Sequence, residues 1–238
     1  MFDINWALIG IGICGGMVLL LRDWRLTIPA LLLNYLFVTM FLTAQQFIQP
    51  DVTLFGVAFS TTVIVKLITG LAASAILAIT ALTFSREYNL EDLDEFSLAE
   101  LRRAARRAQQ IQANQPVRLS EYVVPFWALV LALLASIVLP RIYPIGQRYG
   151  IDFAWYWLGF VGLFTMMTAT DLLKIGLGLM LCVASIDLLY TAVARSVQVF
   201  PLGLLSLLTI VLALAIAYLS GLLYGRLKTL DLAELYRR

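Results

Sequence analysis

Apolar residues run through this chain in long blocks, separated by short polar turns. Seven blocks approach the roughly 20 residues that carry a helix across a bilayer. They fall at about 4–21, 26–48, 54–84, 123–139, 152–170, 171–194 and 200–225. Arg22-Asp23-Trp24-Arg25, the run Gln45 to Asp51, and a loop with Arg141 and Arg148 break the pattern. The one extensive polar stretch is 85–121. Its acidic part holds Glu87, Glu91, Asp92, Asp94 and Glu95. Ser97-Leu98-Ala99-Glu100 then forms a capping-box pattern, followed by Arg102, Arg103, Arg106 and Arg107 on one broad helical face. The pattern predicts an all-α polytopic membrane protein with about seven transmembrane helices. It divides into a three-helix membrane half (1–84), a charged loop with a short helix (85–121) and a four-helix membrane half (122–238).

Composition agrees. The chain is 61% hydrophobic and 13% charged, with a mean hydropathy of +0.89. A soluble domain carries about 25% charged residues. The net charge of +2 comes without basic clusters interleaved with stacking aromatics, so no nucleic-acid partner is expected. Histidine is absent, which removes imidazole ligation of haem or zinc. Cys14 and Cys182 lie inside apolar blocks and read as small helix residues. The start, Met1 to Asn5, lacks the basic region of a signal peptide, so the first block is expected to be a retained helix.

Basic residues set an expected orientation. With the N-terminus outside, Arg22, Arg25, Arg86, the arginines of 102–118, Lys174 and the C-terminal basic residues lie inside. Only Arg141, Arg148 and Arg195 lie outside. The 85–121 loop and the C-terminus are then cytoplasmic, and the protein is a multi-pass component of the cell membrane. Trp6, Trp155 and Trp157 are expected at the outer interface, Trp24 and Trp127 at the inner one. Arg22-Asp23-Trp24-Arg25 before the second helix is echoed by Asp171 to Lys174 at the sixth. That echo fits two three-helix repeats joined by a linking helix.

Lys66 and Asp187 are the two charges placed far inside predicted helices. Lys66 lies roughly 30 Å along its helix from Arg86, and Asp187 roughly 24 Å from Asp171. The two could share one depth and pair inside the bundle. Alternatively, Lys66 reaches outward along its stem and Asp187 serves a helix-packing hydrogen bond. Asp171, Lys174 and Asn34 are further candidates. No histidine-based catalytic set, metal-ligand cluster or phosphate loop is present, so the chain is not expected to be an enzyme by itself.

Three segments of helix six, Asp171-Leu172-Leu173, Gly178-Leu179-Met180 and Ala184-Ser185-Ile186-Asp187-Leu188, resemble membrane subunits of the NuoK type. The C subunit of multisubunit cation/proton antiporters resembles the same pattern. Nearly the whole chain is similar to component E of the hydrogenase-four complex. Ile64-Val65-Lys66-Leu67 and the turn Lys228-Thr229-Leu230-Asp231 carry that likeness. The resemblance implies a non-catalytic subunit, without a cofactor of its own, in a hydrogenase-like or complex-I-like ion-translocating redox assembly. Its partners would be antiporter-like membrane subunits, a hydrogenase or quinone-reductase-like module and the lipid bilayer. The family's glutamates are not matched: their positions fall at Met180 and near Val183, and a family histidine falls near Asp187. No glutamate lies inside a predicted helix, so Lys66 and Asp187 are what remain for a proton path. A stand-alone small transporter and a membrane scaffold recruiting a cytoplasmic partner are the other expectations.

Overall fold

In a computed structural model, residues 6–21, 23–44, 52–54, 57–87, 120–146, 148–194 and 199–227 are described. Seven helices account for nearly all of them: α1 (Trp6–Leu20), α2 (Trp24–Ala44), α3 (Thr61–Glu87), α4 (Ser120–Ile142), α5 (Tyr149–Thr168), α6 (Leu172–Val193) and α7 (Val199–Leu227). Six are long and apolar enough to cross a membrane. In α1, 15 residues are described, roughly 22 Å of helix. The central part of the charged loop, with its capping box and arginine face, lies outside the described residues, as does the turn Lys228 to Asp231.

Two expectations need correction in the middle of the chain. The third helix does not begin at 54. Val52–Leu54 (β1) and Val57–Phe59 (β2) pair antiparallel, Val52 opposite Phe59, and the helix starts at Thr61. Val52, Thr53, Val57 and Phe59 are strand formers, and a short apolar run does not separate strand from helix by periodicity. The helix ends also extend further than expected. α3 reaches Glu87, and α4 begins at Ser120 and takes in Glu121, so glutamates do occur in terminal helical turns.

The surface is that of a bilayer protein. Ile13, Leu71, Ile79, Leu131, Leu208 and Tyr218 all stand exposed along the helices. The helices satisfy their own backbone groups, which is what lets such faces meet lipid. The core runs through Ile11, Leu31, Phe41, Leu158, Leu177, Met180 and Leu188. The expected interface role of Trp157 is also corrected: it is buried and stacks on Phe153. Trp6 and Trp127 are exposed, and Arg25 lies 5.5 Å over the Trp24 ring.

α5 and α6 pack most closely, because glycines face each other. A Cβ at Gly162 would lie 2.7 Å from the Gly178 carbonyl oxygen, and one at Gly178 equally close to the Gly162 oxygen. Around this pair, α1 packs on α2 and α5, α4 on α5, and α2 on α3. α3 packs mainly on α7 and α2 rather than on α6. Each of the first three helices lies beside its counterpart among the last three: α1 beside α5, α2 beside α6, α3 beside α7.

Asp152 organises one end of the bundle. It is buried, and its carboxylate accepts from Gly146 N (2.7 Å), Ile145 N (3.2 Å) and Trp155 Nε1 (3.0 Å). One side chain thereby fixes the α4–α5 connection. Asp152→Asn replaces an acceptor by a donor facing an N–H group. It is expected to cost about 1–2 kcal/mol, read as a lowered unfolding midpoint in detergent; an unchanged midpoint would mean the loop holds without the carboxylate.

Candidate functional site

Lys66 is the sixth residue of α3, and Asp187 lies six residues before the end of α6. Both therefore sit roughly 8–9 Å from a helix terminus, at the same end of the bundle. Lys66 Nζ lies 2.9 Å from Asp187 Oδ2, with the two side chains 5% and 21% exposed. Lys66 does not reach outward. Its ammonium also donates to Thr191 Oγ1 at 3.0 Å, and the Thr191 hydroxyl donates to the Asp187 carbonyl at 2.8 Å. Thr191 stands four residues beyond Asp187, on the same helix face. The ion pair thus gains a neutral partner that locks its geometry.

A charge of either sign costs about 2.5–3.5 kcal/mol at the centre of a membrane helix on insertion scales, and less toward the ends, where Lys66 and Asp187 lie. Pairing offsets much of that cost, provided further hydrogen bonds satisfy the remaining atoms. Here the satisfaction is incomplete. Asp187 Oδ1 is buried with no hydrogen-bond partner among the described residues. Asp187 lines a small cavity of about 20 Å³ at the junction of four helices. α2 contributes Tyr35, Val38 and Thr39, and α3 contributes Lys66 and Thr69. Val183, Ala184 and Asp187 come from α6, and Leu205, Ser206 and Thr209 from α7.

The threonines have a defined polarity. Thr39 donates its hydroxyl proton to Leu36 O, Thr69 to Val65 O and Thr209 to Leu205 O, each at 2.7 Å. Their lone pairs are what remain for the cavity. Tyr35 Oη is a second buried atom without a partner among the described residues. The site combines an ion pair, one unused carboxylate oxygen, one unused phenol and a wall of acceptors.

The other candidate residues lie elsewhere. Asp171 caps α6 by accepting from Lys174 N at 2.6 Å. The Lys174 ammonium is buried and donates to Leu19 O (3.1 Å) and Leu21 O (3.2 Å), at the end of α1. A cation there complements the negative helix terminus. Thirteen residues of α6 separate Lys174 from Asp187, roughly 20 Å. Asn34 is fully buried, and neither of its amide atoms has a partner among the described residues, but it does not line the cavity. Cys14 and Cys182 are both free thiols. Among the described residues no group of histidine, cysteine or carboxylate side chains could hold a metal ion.

Sequence reasoning passed over Thr191 and Asp152, and took Tyr35 as no more than a polar residue along the second helix. The signal for Thr191 was its spacing of four from Asp187. Tyr35 and Thr39 share that spacing on α2. Asp152 stood too close to a helix start to look buried. Set against protein-family models, curated proteins and solved structures, the chain finds no match.

Proposed function

We propose that the chain is an integral membrane subunit of an ion-translocating assembly, of the hydrogenase-like or complex-I-like redox kind. It would couple or seal neighbouring membrane subunits, and Lys66 and Asp187 would be its contribution to a proton path. The observation that carries this reading is the Lys66–Asp187 pair, held between helices beside a small cavity. Ionisable groups held inside a membrane bundle mark ion pathways more often than they serve stability. A proton path needs a group that can hold or release charge next to room for water, and both are present. The small cavity suits water or a proton better than an organic solute, which favours a subunit over a carrier of larger substrates. The resemblance of helix six supports the choice of assembly, with antiporter-like and redox subunits as partners. The distribution of basic residues supports an outer N-terminus and a cytoplasmic C-terminus.

The test is affinity purification of the tagged chain from native membranes with mild detergent. Co-purification of antiporter-like membrane subunits and a redox module is expected, and Lys66→Ala should abolish proton uptake by that assembly while leaving its composition intact. Recovery of a stable, lone monomer would overturn the proposal.

A further inference from the structure

Asp187 and Tyr35 each carry a buried polar atom without a partner among the described residues, and both residues line the same small cavity. Asp187 Oδ1 can only accept, and Tyr35 Oη can donate. Both residues line the cavity of about 20 Å³. A buried water needs about 10–15 Å³ of such space and two to four polar partners. The cavity meets both conditions. Tyr35 supplies a donor, Asp187 Oδ1 an acceptor, and the threonine hydroxyls, their protons already given to backbone carbonyls, supply further acceptors.

We infer that this cavity binds one water molecule, through which Tyr35 holds the Asp187 carboxylate in its charged form, and that the ion handled at the site is the proton rather than sodium. The inference rests on the reading of Lys66 and Asp187 as part of a proton path, and it deepens that reading by placing a water and Tyr35 at the carboxylate and arguing from the site why the ion is the proton. The Lys66 ammonium already occupies the cation position, 2.9 Å from Asp187 Oδ2. A metal cation in the adjacent space would face that ammonium at close range, where like charges repel strongly in a low-dielectric interior. A neutral water faces no such repulsion. It donates one hydrogen to Asp187 Oδ1 and accepts the phenol hydrogen of Tyr35. When a proton binds Asp187, the carboxylate loses its charge and Lys66 loses its ionic partner. The charged and titratable groups on the cavity wall are Tyr35 from α2, Lys66 from α3 and Asp187 itself; α7 contributes Leu205, Ser206 and Thr209, none of them charged. Tyr35 is a positioning residue here, acting on Asp187 through the water.

Infrared difference spectroscopy of the full chain in lipid nanodiscs tests this. The protonated-carboxyl band is followed across pH and assigned to Asp187 by its loss in Asp187→Asn. Tyr35→Phe removes one oxygen and keeps the ring. It is expected to make proton binding at Asp187 about tenfold tighter, the equivalent of one hydrogen bond to a charged acceptor. In the unsubstituted chain, replacing choline chloride by sodium chloride is expected to leave the titration in place. An unchanged titration in Tyr35→Phe overturns the role of Tyr35. A sodium-dependent shift in the unsubstituted chain overturns the assignment of the proton, and it does so even if Tyr35→Phe folds poorly. Failure of the purified assembly to take up protons would instead count against the functional reading, with the spectroscopic result standing.

Discussion

Replacing Lys66 by alanine is expected to destabilise the protein by about 3–5 kcal/mol, the usual consequence of leaving a buried charge without its partner. Asp187 would retain its carboxylate with Oδ1 already without a protein partner among the described residues and Oδ2 deprived of its ionic one. Asp187→Ala should be comparably costly, because the Lys66 ammonium would keep Thr191 but no ionic partner among the described residues. The decisive variant is the double one. Removing both charges removes the desolvation penalty as well as the attraction, so Lys66→Ala with Asp187→Ala should recover part of the loss. Unfolding midpoints in a fixed detergent give the four corners of the cycle. A double variant whose loss equals the sum of the two single losses would show that the contact contributes nothing to stability. Partial recovery would separate the pair's cost to the fold from its use in ion movement, which the double variant should still lack.

The second large effect belongs to the α5–α6 contact. In Gly178→Ala the new methyl group would meet the Gly162 carbonyl oxygen at 2.7 Å, Met166 Cγ at 2.8 Å and Met166 N at 3.0 Å. Backbone atoms cannot turn aside as a side chain would, so the helices must separate or shift. Overpacking of this kind costs about 1–3 kcal/mol, and Gly162→Ala meets backbone just as closely. Gly203→Ala is the matched control, since a Cβ there has nothing within 4 Å. It should be neutral, or stabilising by about 0.5–1 kcal/mol through helix propensity. Equal losses in all three variants would mean that helix propensity or expression, not close packing, governs the result. Because α6 carries Asp187, separating α5 from α6 should also disturb the ion pair, and the two effects are not expected to be additive.

The helices were legible because a bilayer admits few alternatives: a long apolar run must satisfy its own backbone, and a helix does so. The stretch 52–59 was not legible as a hairpin because its apolar residues follow neither helical nor strand periodicity strongly enough to decide. Lys66 and Asp187 stood out because charge is scarce in such helices, although nothing in their spacing said that they meet. Their encounter depends on how the bundle sets α3, packed on α2 and α7, within reach of α6, and that placement is a matter of packing. Tyr35 was hidden for the opposite reason. Tyrosine is ordinary in membrane helices, and only its place on the same cavity wall as Asp187 makes it informative. Trp157 misled because tryptophan commonly marks interfaces, whereas here the indole fills space beside Gly15 and Gly16.

The ion pair also imposes an order on how the chain is made. Lys66 and its hydrogen-bond partner Thr191 lie 125 residues apart in sequence. At about 5–20 residues per second of synthesis, α3 enters the membrane roughly 6–25 s before α6 can follow. During that interval Lys66 lies near the end of a helix whose eventual ionic partner has not been translated. Its long stem allows the ammonium to remain in the headgroup region, within about two turns of its final place. The lysine is then drawn inward when Asp187 arrives, so closure of this seam comes late in the biogenesis of the fold.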